Sequence, residues 1–224
     1  MAMKRRLALC LALGLAACGS GLSGDNALNT LGQVIVQGIR GAGGGGDTFA
    51  LTRADLAAQG FTLPFMVGTL EVRGLRTGLG LAARSRDVVT WGAADNSAIS
   101  LRQGVLTATR GLGADLYSAE TRQVSAAMAQ GSPAEYARTY RHLDGLDQIV
   151  LTRFTCRLQP AGSESITVFE QPARTRRFDE SCRAQGIDAP QITNTYWREG
   201  TIMRKSRQWI GPELGYLVME RVID

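Results

Sequence analysis

The sequence predicts a mainly β protein, an antiparallel β-sandwich or partly open β-barrel with two or three short helices. Roughly ten short runs of β-branched, aromatic and apolar residues follow one another from Phe65 to Ile223, as strands do. Gly, Asp and Asn divide these runs at hairpin spacing. Two or three helix-like segments interrupt them without the regular strand–helix alternation of a parallel sheet.

The first residues read as a leader. Lys4, Arg5 and Arg6 are followed by an apolar run, Leu7 to Leu15, and then by Leu15-Ala16-Ala17-Cys18. This is the secretory pattern, with Cys18 where a bacterial lipoprotein is cut and acylated. The apolar run is far shorter than the roughly 20 residues that span a bilayer. Gly19, where an aspartate would favour inner-membrane retention, points to the outer membrane. The division that follows is 1–17 signal peptide, 18–46 acylated tether and N-terminal segment, and 47–224 a single mainly β domain. Residues 18–224 number 207, enough for a buried core.

Gly19 to Gly24 is a Gly/Ser-rich tether. Leu28, Leu31 and Ile35 recur at helical spacing between Asp25 and Ile39, predicting an amphipathic helix. Gly41 to Gly46 reads as a loop. Thr52 to Asp55 starts a short helix that ends at Gly60. Strands follow over Phe65 to Val72, Leu75 to Ala83, Asp87 to Trp91, Ala98 to Leu101 and Val105 to Arg110, the last two paired across Arg102-Gln103-Gly104. The alanine-rich stretch from Asp115 to Gln130 reads as a helix. Ser132-Pro133-Ala134-Glu135 has the pattern of a capping box and predicts one more helical turn. Asp144-Gly145 turns a hairpin between Thr139–Leu143 and Leu146–Arg157. Ser165 to Glu170 reads as a strand, followed by a charged loop carrying Cys182. Ile192 to Trp197, Thr201 to Ile210 and Leu214 to Ile223 close the chain as three strands.

Composition narrows function. The whole chain carries 25 cations and 20 anions. Without the three leader cations the balance is 22 to 20, too even for a nucleic-acid surface. Lys205 is the one lysine beyond the leader. Of four cysteines, Cys10 leaves with the leader and Cys18 takes the lipid. Cys156 and Cys182 remain in an oxidising compartment and read as a disulfide. Two cysteines and a single histidine are a poor metal ligand supply.

No catalytic set emerges, and the chain is read as a non-enzyme without cofactor or metal. Gly78-Leu79-Gly80-Leu81-Ala82-Ala83 matches a dinucleotide fingerprint, but its neighbours read as hairpin strands and no helix follows. His142 sits mid-strand beside a turn, with no nucleophile elbow in the chain. Asp179-Glu180 is an acid pair of the kind glycosidases use, and in a charged loop it reads equally as solvated surface.

The C-terminal stretch combines Trp197 with Arg204, Lys205, Arg207, Gln208 and Trp209. Strand alternation puts Arg204 and Gln208 on one face and Lys205, Arg207 and Trp209 on the other. A basic strand flanked by indoles could line a groove for glycan or a protein partner. A charge-protected edge strand explains the same residues equally well.

The run Ile99 to Leu106 with Thr109 to Leu116, and Tyr196-Trp197 with Ser206 to Pro212, resembles the YjbF/GfcB group of lipoproteins. That group is named for group 4 capsule and related exopolysaccharide production. The resemblance implies a mainly β lipoprotein on the periplasmic side of the outer membrane. It implies a scaffold or glycan-contacting accessory of a polysaccharide export system. Its partners would be the membrane through the lipid, an outer-membrane β-barrel protein, periplasmic accessory proteins and an acidic polysaccharide. The alternatives are a carrier holding an apolar ligand inside the barrel and a glycan-modifying hydrolase.

Overall fold

Among the described residues, twelve antiparallel strands form one sheet that curls into a nearly closed barrel. In this computed structural model, residues 51–224 are described apart from 145, 147 and 187–189. The leader, Cys18, the tether, the helix expected over 25–39 and Gly145 of the expected turn lie outside the described residues.

The strands are β1 (Phe65–Leu70), β2 (Leu75–Ser85), β3 (Val88–Gly92), β4 (Ala98–Arg102), β5 (Val105–Arg110), β6 (Leu116–Ala119), β7 (Ala134–Leu143), β8 (Ile149–Val168), β9 (Gln171–Ala184), β10 (Gln191–Glu199), β11 (Ile202–Gly211) and β12 (Gly215–Ile223). Every neighbour in the sheet is a neighbour in sequence, save that β1 pairs with β12. The two ends of the strand order are β5 and β6. Of the two expected β architectures, the barrel is the one adopted.

Side chains bridge the seam between β5 and β6. The Thr109 hydroxyl donates to Asp115 Oδ1 at 2.8 Å and accepts from the Leu116 amide at 2.9 Å. Farther along, Gln208 of β11 reaches β5, accepting from the Leu106 amide and donating to the Gly104 carbonyl, both at 2.8 Å. A primary amide thus does for β5 what a neighbouring strand's peptide would do, satisfying groups whose burial unpaired would be costly. β11 approaches so closely that Gly104 is required: its φ is +82°, and a Cβ there would collide with Met203.

The helix α1 (Arg53–Ala58) starts where the sequence places it. Thr52 caps it, and the Asp55 carboxylate accepts from the Thr52 amide at 2.8 Å, a reciprocal capping box. α1 covers the outer face of β1, where Leu56, Phe65, Val67, Phe169 and Val222 form a small core of their own. The other face of β1 supplies Met66 and Leu70 to the barrel interior. Burial on both faces explains why this run is apolar without alternation.

Three expectations fail locally. Asp115 to Gln130 is not one helix: β6 occupies its first part, and α2 (Arg122–Gln130) only the second. Leu116 and Ala119 are buried in the barrel core, which fixes them in the sheet. Ser132 to Glu135 begins no helical turn, because from Ala134 onward the chain pairs residue by residue with β8. Tertiary pairing overrides the local cap. The charged loop expected after Glu170 is β9, which pairs along its whole length with β8.

β8 and β9 make the longest hairpin, twenty and fourteen residues. Its tip, Phe169-Glu170, has φ of +44° and +70°, the positive values of a two-residue hairpin turn. A bulge between Pro160 and Ser163 bends this arm. The tip docks on α1, where Arg53 Nε donates to the Phe169 carbonyl at 3.1 Å and Phe169 meets Phe65 edge to face.

Cys156 and Cys182 stand directly opposite on β8 and β9, fully buried, with sulfurs bonded. The bridge closes a loop of 26 residues, for which chain entropy gives about 3.5 kcal/mol. Replacing both cysteines by alanine is expected to lower unfolding free energy by about that amount. Denaturant unfolding of the double variant checks it, and an unchanged midpoint would argue that the protein does not depend on the link.

Candidate functional site

Residues from β7, β9 and β10 meet around one carboxylate. Glu180 is 0% exposed and Arg138 2%. The Glu180 carboxylate accepts from Arg138 Nη1 at 2.6 Å, Asn194 Nδ2 at 2.7 Å and Tyr196 Oη at 2.7 Å on one oxygen. Its other oxygen accepts from Tyr136 Oη at 2.8 Å. Arg138 Nε donates to the Glu120 carbonyl at 2.9 Å, and the guanidinium lies 4.8 Å from the Tyr140 ring. A buried ion pair is stable only with such full satisfaction.

Strand alternation assembles this cluster. Tyr136, Arg138 and Tyr140 are every second residue of β7, Glu180 and Cys182 of β9, and Asn194 and Tyr196 of β10. Burial alone would lower the Arg138 guanidinium, but Glu180 together with Tyr140 and Tyr196 more than offsets it and holds it well above its ordinary value. Burial, then the Glu180 charge, pushes Tyr136 and Tyr196 far above the usual phenol range. Burial raises Tyr140 likewise, against the opposing pull of Arg138. The Arg138 guanidinium and the three phenols therefore stay protonated at neutral pH, and with four donors on one carboxylate the arrangement is a brace rather than an acid–base pair. Glu180 also lies near both disulfide sulfurs. With the sulfurs bonded to each other and Glu180 carrying four donors, this grouping offers no metal ligand set.

The basic strand β11 is neutralised locally. Arg204 Nε meets Glu199 at 2.7 Å and its Nη1 meets Asp224 at 3.0 Å. Lys205 pairs with Glu220 at 3.2 Å. Arg207 binds both Glu71 oxygens, at 2.8 and 2.7 Å, and stacks 3.5 Å from the centre of the Tyr216 ring. The Glu71 bonds hold the Arg207 guanidinium above its ordinary value. Trp197 is half-buried, its indole donating to Glu164 at 2.9 Å. Gln208 and Trp209 are 1% and 7% exposed. Gln208 braces β5, and Trp209 packs edge to face on Tyr140, His142 and Phe154. The surface portion of the sequence-defined group is therefore Trp197, Arg204, Lys205 and Arg207.

His142 is half-buried on β7, its Nε2 2.8 Å from the Ile210 carbonyl. The glycines of the fingerprint lie within β2, between β1 and β3. Asp179 sits on the outer face of β9 with Arg177, while Glu180 faces in, so the acid pair does not converge on one cleft.

A cavity between β1, β3, β4, β11 and β12, lined by Met66, Trp91, Met203 and Met219, measures ≈200 Å³. Pockets for drug-sized ligands hold about 300–1,000 Å³. Two clefts more than twice the volume of this cavity lie at the surface. One, ≈500 Å³, opens beside the start of α2. There Arg102 pairs with Asp87 and Arg141 with Glu120. The other, ≈470 Å³, lies under the β8–β9 arm and is lined by Ser163, Ser165, Arg174, Arg176 and Arg198. Sequence reading missed it, because these residues come from three strands, one of them read as a loop.

Residues 45–222 match the family model described as group 4 capsule polysaccharide lipoprotein GfcB, YjbF. The fold is similar to the crystal structure of the hypothetical lipoprotein YmcC from Escherichia coli K12, with a TM-score of 0.65 and 18% identity. That likeness covers 77% of this chain and 89% of that one. No curated protein matches.

Proposed function

Because the chain belongs to the YjbF family of group 4 capsule polysaccharide lipoproteins, we propose that it is a non-enzymatic accessory of capsule or exopolysaccharide export. It is held by acylated Cys18 on the periplasmic side of the outer membrane. One observation carries this reading: the family match spans all twelve strands. The barrel itself, and not an appended segment, is thus tied to capsule polysaccharide. The small interior cavity makes a carrier for a large apolar ligand a poorer fit. The braced Glu180 makes a poor hydrolytic acid.

In this reading the outer surface is the working part. Trp197, Arg204, Lys205 and Arg207 are candidates for contact with glycan or an export partner, and Gln208 and Trp209 hold their strand in place. The experiment is done in the native strain. Cys18→Ser is expected to yield unprocessed or soluble protein and to reduce secreted polysaccharide as deletion does. Arg204→Ala with Arg207→Ala is expected to reduce secretion while the protein stays folded and abundant. Undiminished secretion after deletion would overturn the accessory role. Undiminished secretion by the arginine variant alone would remove only this strand from it.

A further inference from the structure

The cleft under the β8–β9 arm holds cations that no acidic group neutralises. Beyond the Pro160–Ser163 bulge, Ser163 stands opposite Arg176 and Ser165 opposite Arg174. On the other side of β9, Arg176 stands opposite Arg198 of β10. These five side chains share the face that carries Phe178 and Glu180 farther along, but here that face has left the core. Like charges directly opposed across a ladder are unfavourable. Arg198 Nε is nonetheless buried with no partner, and burial lowers its guanidinium from the ordinary value. Among the described residues, neither Arg174 nor Arg198 has an ion pair. Arg176 bonds the Gly131 carbonyl at the end of α2 and rests on Phe178. The one acid at the cleft, Glu164, bonds Trp197 and faces Arg177 on the opposite side of the arm.

We propose that this cleft binds an acidic glycan, with Arg174 and Arg198 pairing to uronate carboxylates and Ser163 and Ser165 bonding sugar hydroxyls. The choice of a glycan rests on the capsule reading above; the anionic charge of the ligand rests on the cleft alone. Guanidinium forks match carboxylates in bidentate geometry. A ligand carboxylate would supply the partner that Arg198 Nε lacks. At ≈470 Å³ the cleft falls within the usual range for small-molecule sites. Its named serines and arginines come from three adjacent strands, β8, β9 and β10.

The test uses the processed full-length protein in detergent, with polygalacturonate as probe, dextran as its neutral counterpart and phosphatidylglycerol vesicles as a membrane surface. Polygalacturonate is expected to bind and dextran not. Arg174→Ala with Arg198→Ala is expected to weaken binding at least tenfold, with a Tm at or above that of the parent. A control removing two exposed arginines elsewhere, Arg110→Ala with Arg157→Ala, is expected to change binding less than twofold. Equal loss in both double variants would reduce the effect to bulk charge and overturn the proposal. So would absence of polygalacturonate binding, or binding of the vesicles alone. Secretion separates the two readings. A strain that needs this protein but secretes normally with the cleft variant loses the cleft and keeps the accessory role. A strain that secretes without the protein loses the accessory role, while binding in vitro still decides the cleft.

Discussion

Arg138→Met lowers the unfolding free energy by about 3–5 kcal/mol, the cost of leaving a buried charge without its partner. The substitution keeps much of the aliphatic volume and removes the cation that Glu180 faces at 2.6 Å. Glu180 is wholly buried. Glu180→Leu strands Arg138 in the same way. The two losses should not add, because the residues act through each other. The double variant should lie closer to either single variant than to their sum. Guanidinium-chloride unfolding of the three variants measures this. A loss below about 1 kcal/mol for Arg138→Met, the range of exposed pairs, would mean that water reaches the cluster.

Raising the pH above 10 unfolds the protein steeply. Tyr136, Tyr140 and Tyr196 are all raised above the ordinary phenol value of 10.0. Their contribution is fully present below about pH 10, where both folded and unfolded phenols are protonated. Above that pH the unfolded chain ionises and the folded one does not. Each tyrosine then costs about 1.4 kcal/mol per pH unit, and the three together about 4 kcal/mol per unit. The loss continues until the folded pKa values are reached. Absorbance at 295 nm followed beside circular dichroism checks this. The three buried phenols should ionise together with unfolding; their ionisation in a still-folded barrel would contradict the burial seen here.

Much of the sheet was legible, and the reasons are local. The Phe65, Val105 and Ile192 runs carry β-branched and aromatic residues between glycine turns, and those strands fall close to where the sequence puts them. Thr52 and Asp55 announce α1 because the capping box is made of neighbours. β9 was hidden because Arg174, Arg176, Arg177, Asp179 and Glu180 read as a solvated loop. Only Glu180 among them is buried, and two of its partners, Tyr136 and Arg138, lie forty or more residues away. One signal was available. If Cys182 faces the core to reach Cys156, then Glu180, two residues earlier on the same strand, faces it too. Gln208 and Trp209, expected on opposite faces of β11, are both withdrawn from the surface for another reason. There the strand is held by β5 through Gln208 and by β7 and β8 through Trp209, so both side chains are buried.

The position of the seam has a kinetic consequence. Strands adjacent in sequence, β5 and β6, share no ladder, whereas the first and last strands do, with Phe65 opposite Ile223. The chain therefore comprises two runs of local hairpins, β1–β5 and β6–β12, each able to zip from its own turns in microseconds per hairpin. The β1–β12 ladder alone joins residues from opposite ends of the described chain, and closing so long a loop carries the largest entropic penalty in the molecule. Non-local strand pairing is the slow event in β folding. The rate at which this barrel becomes whole is set where its two termini meet, and not at the gap in its wall.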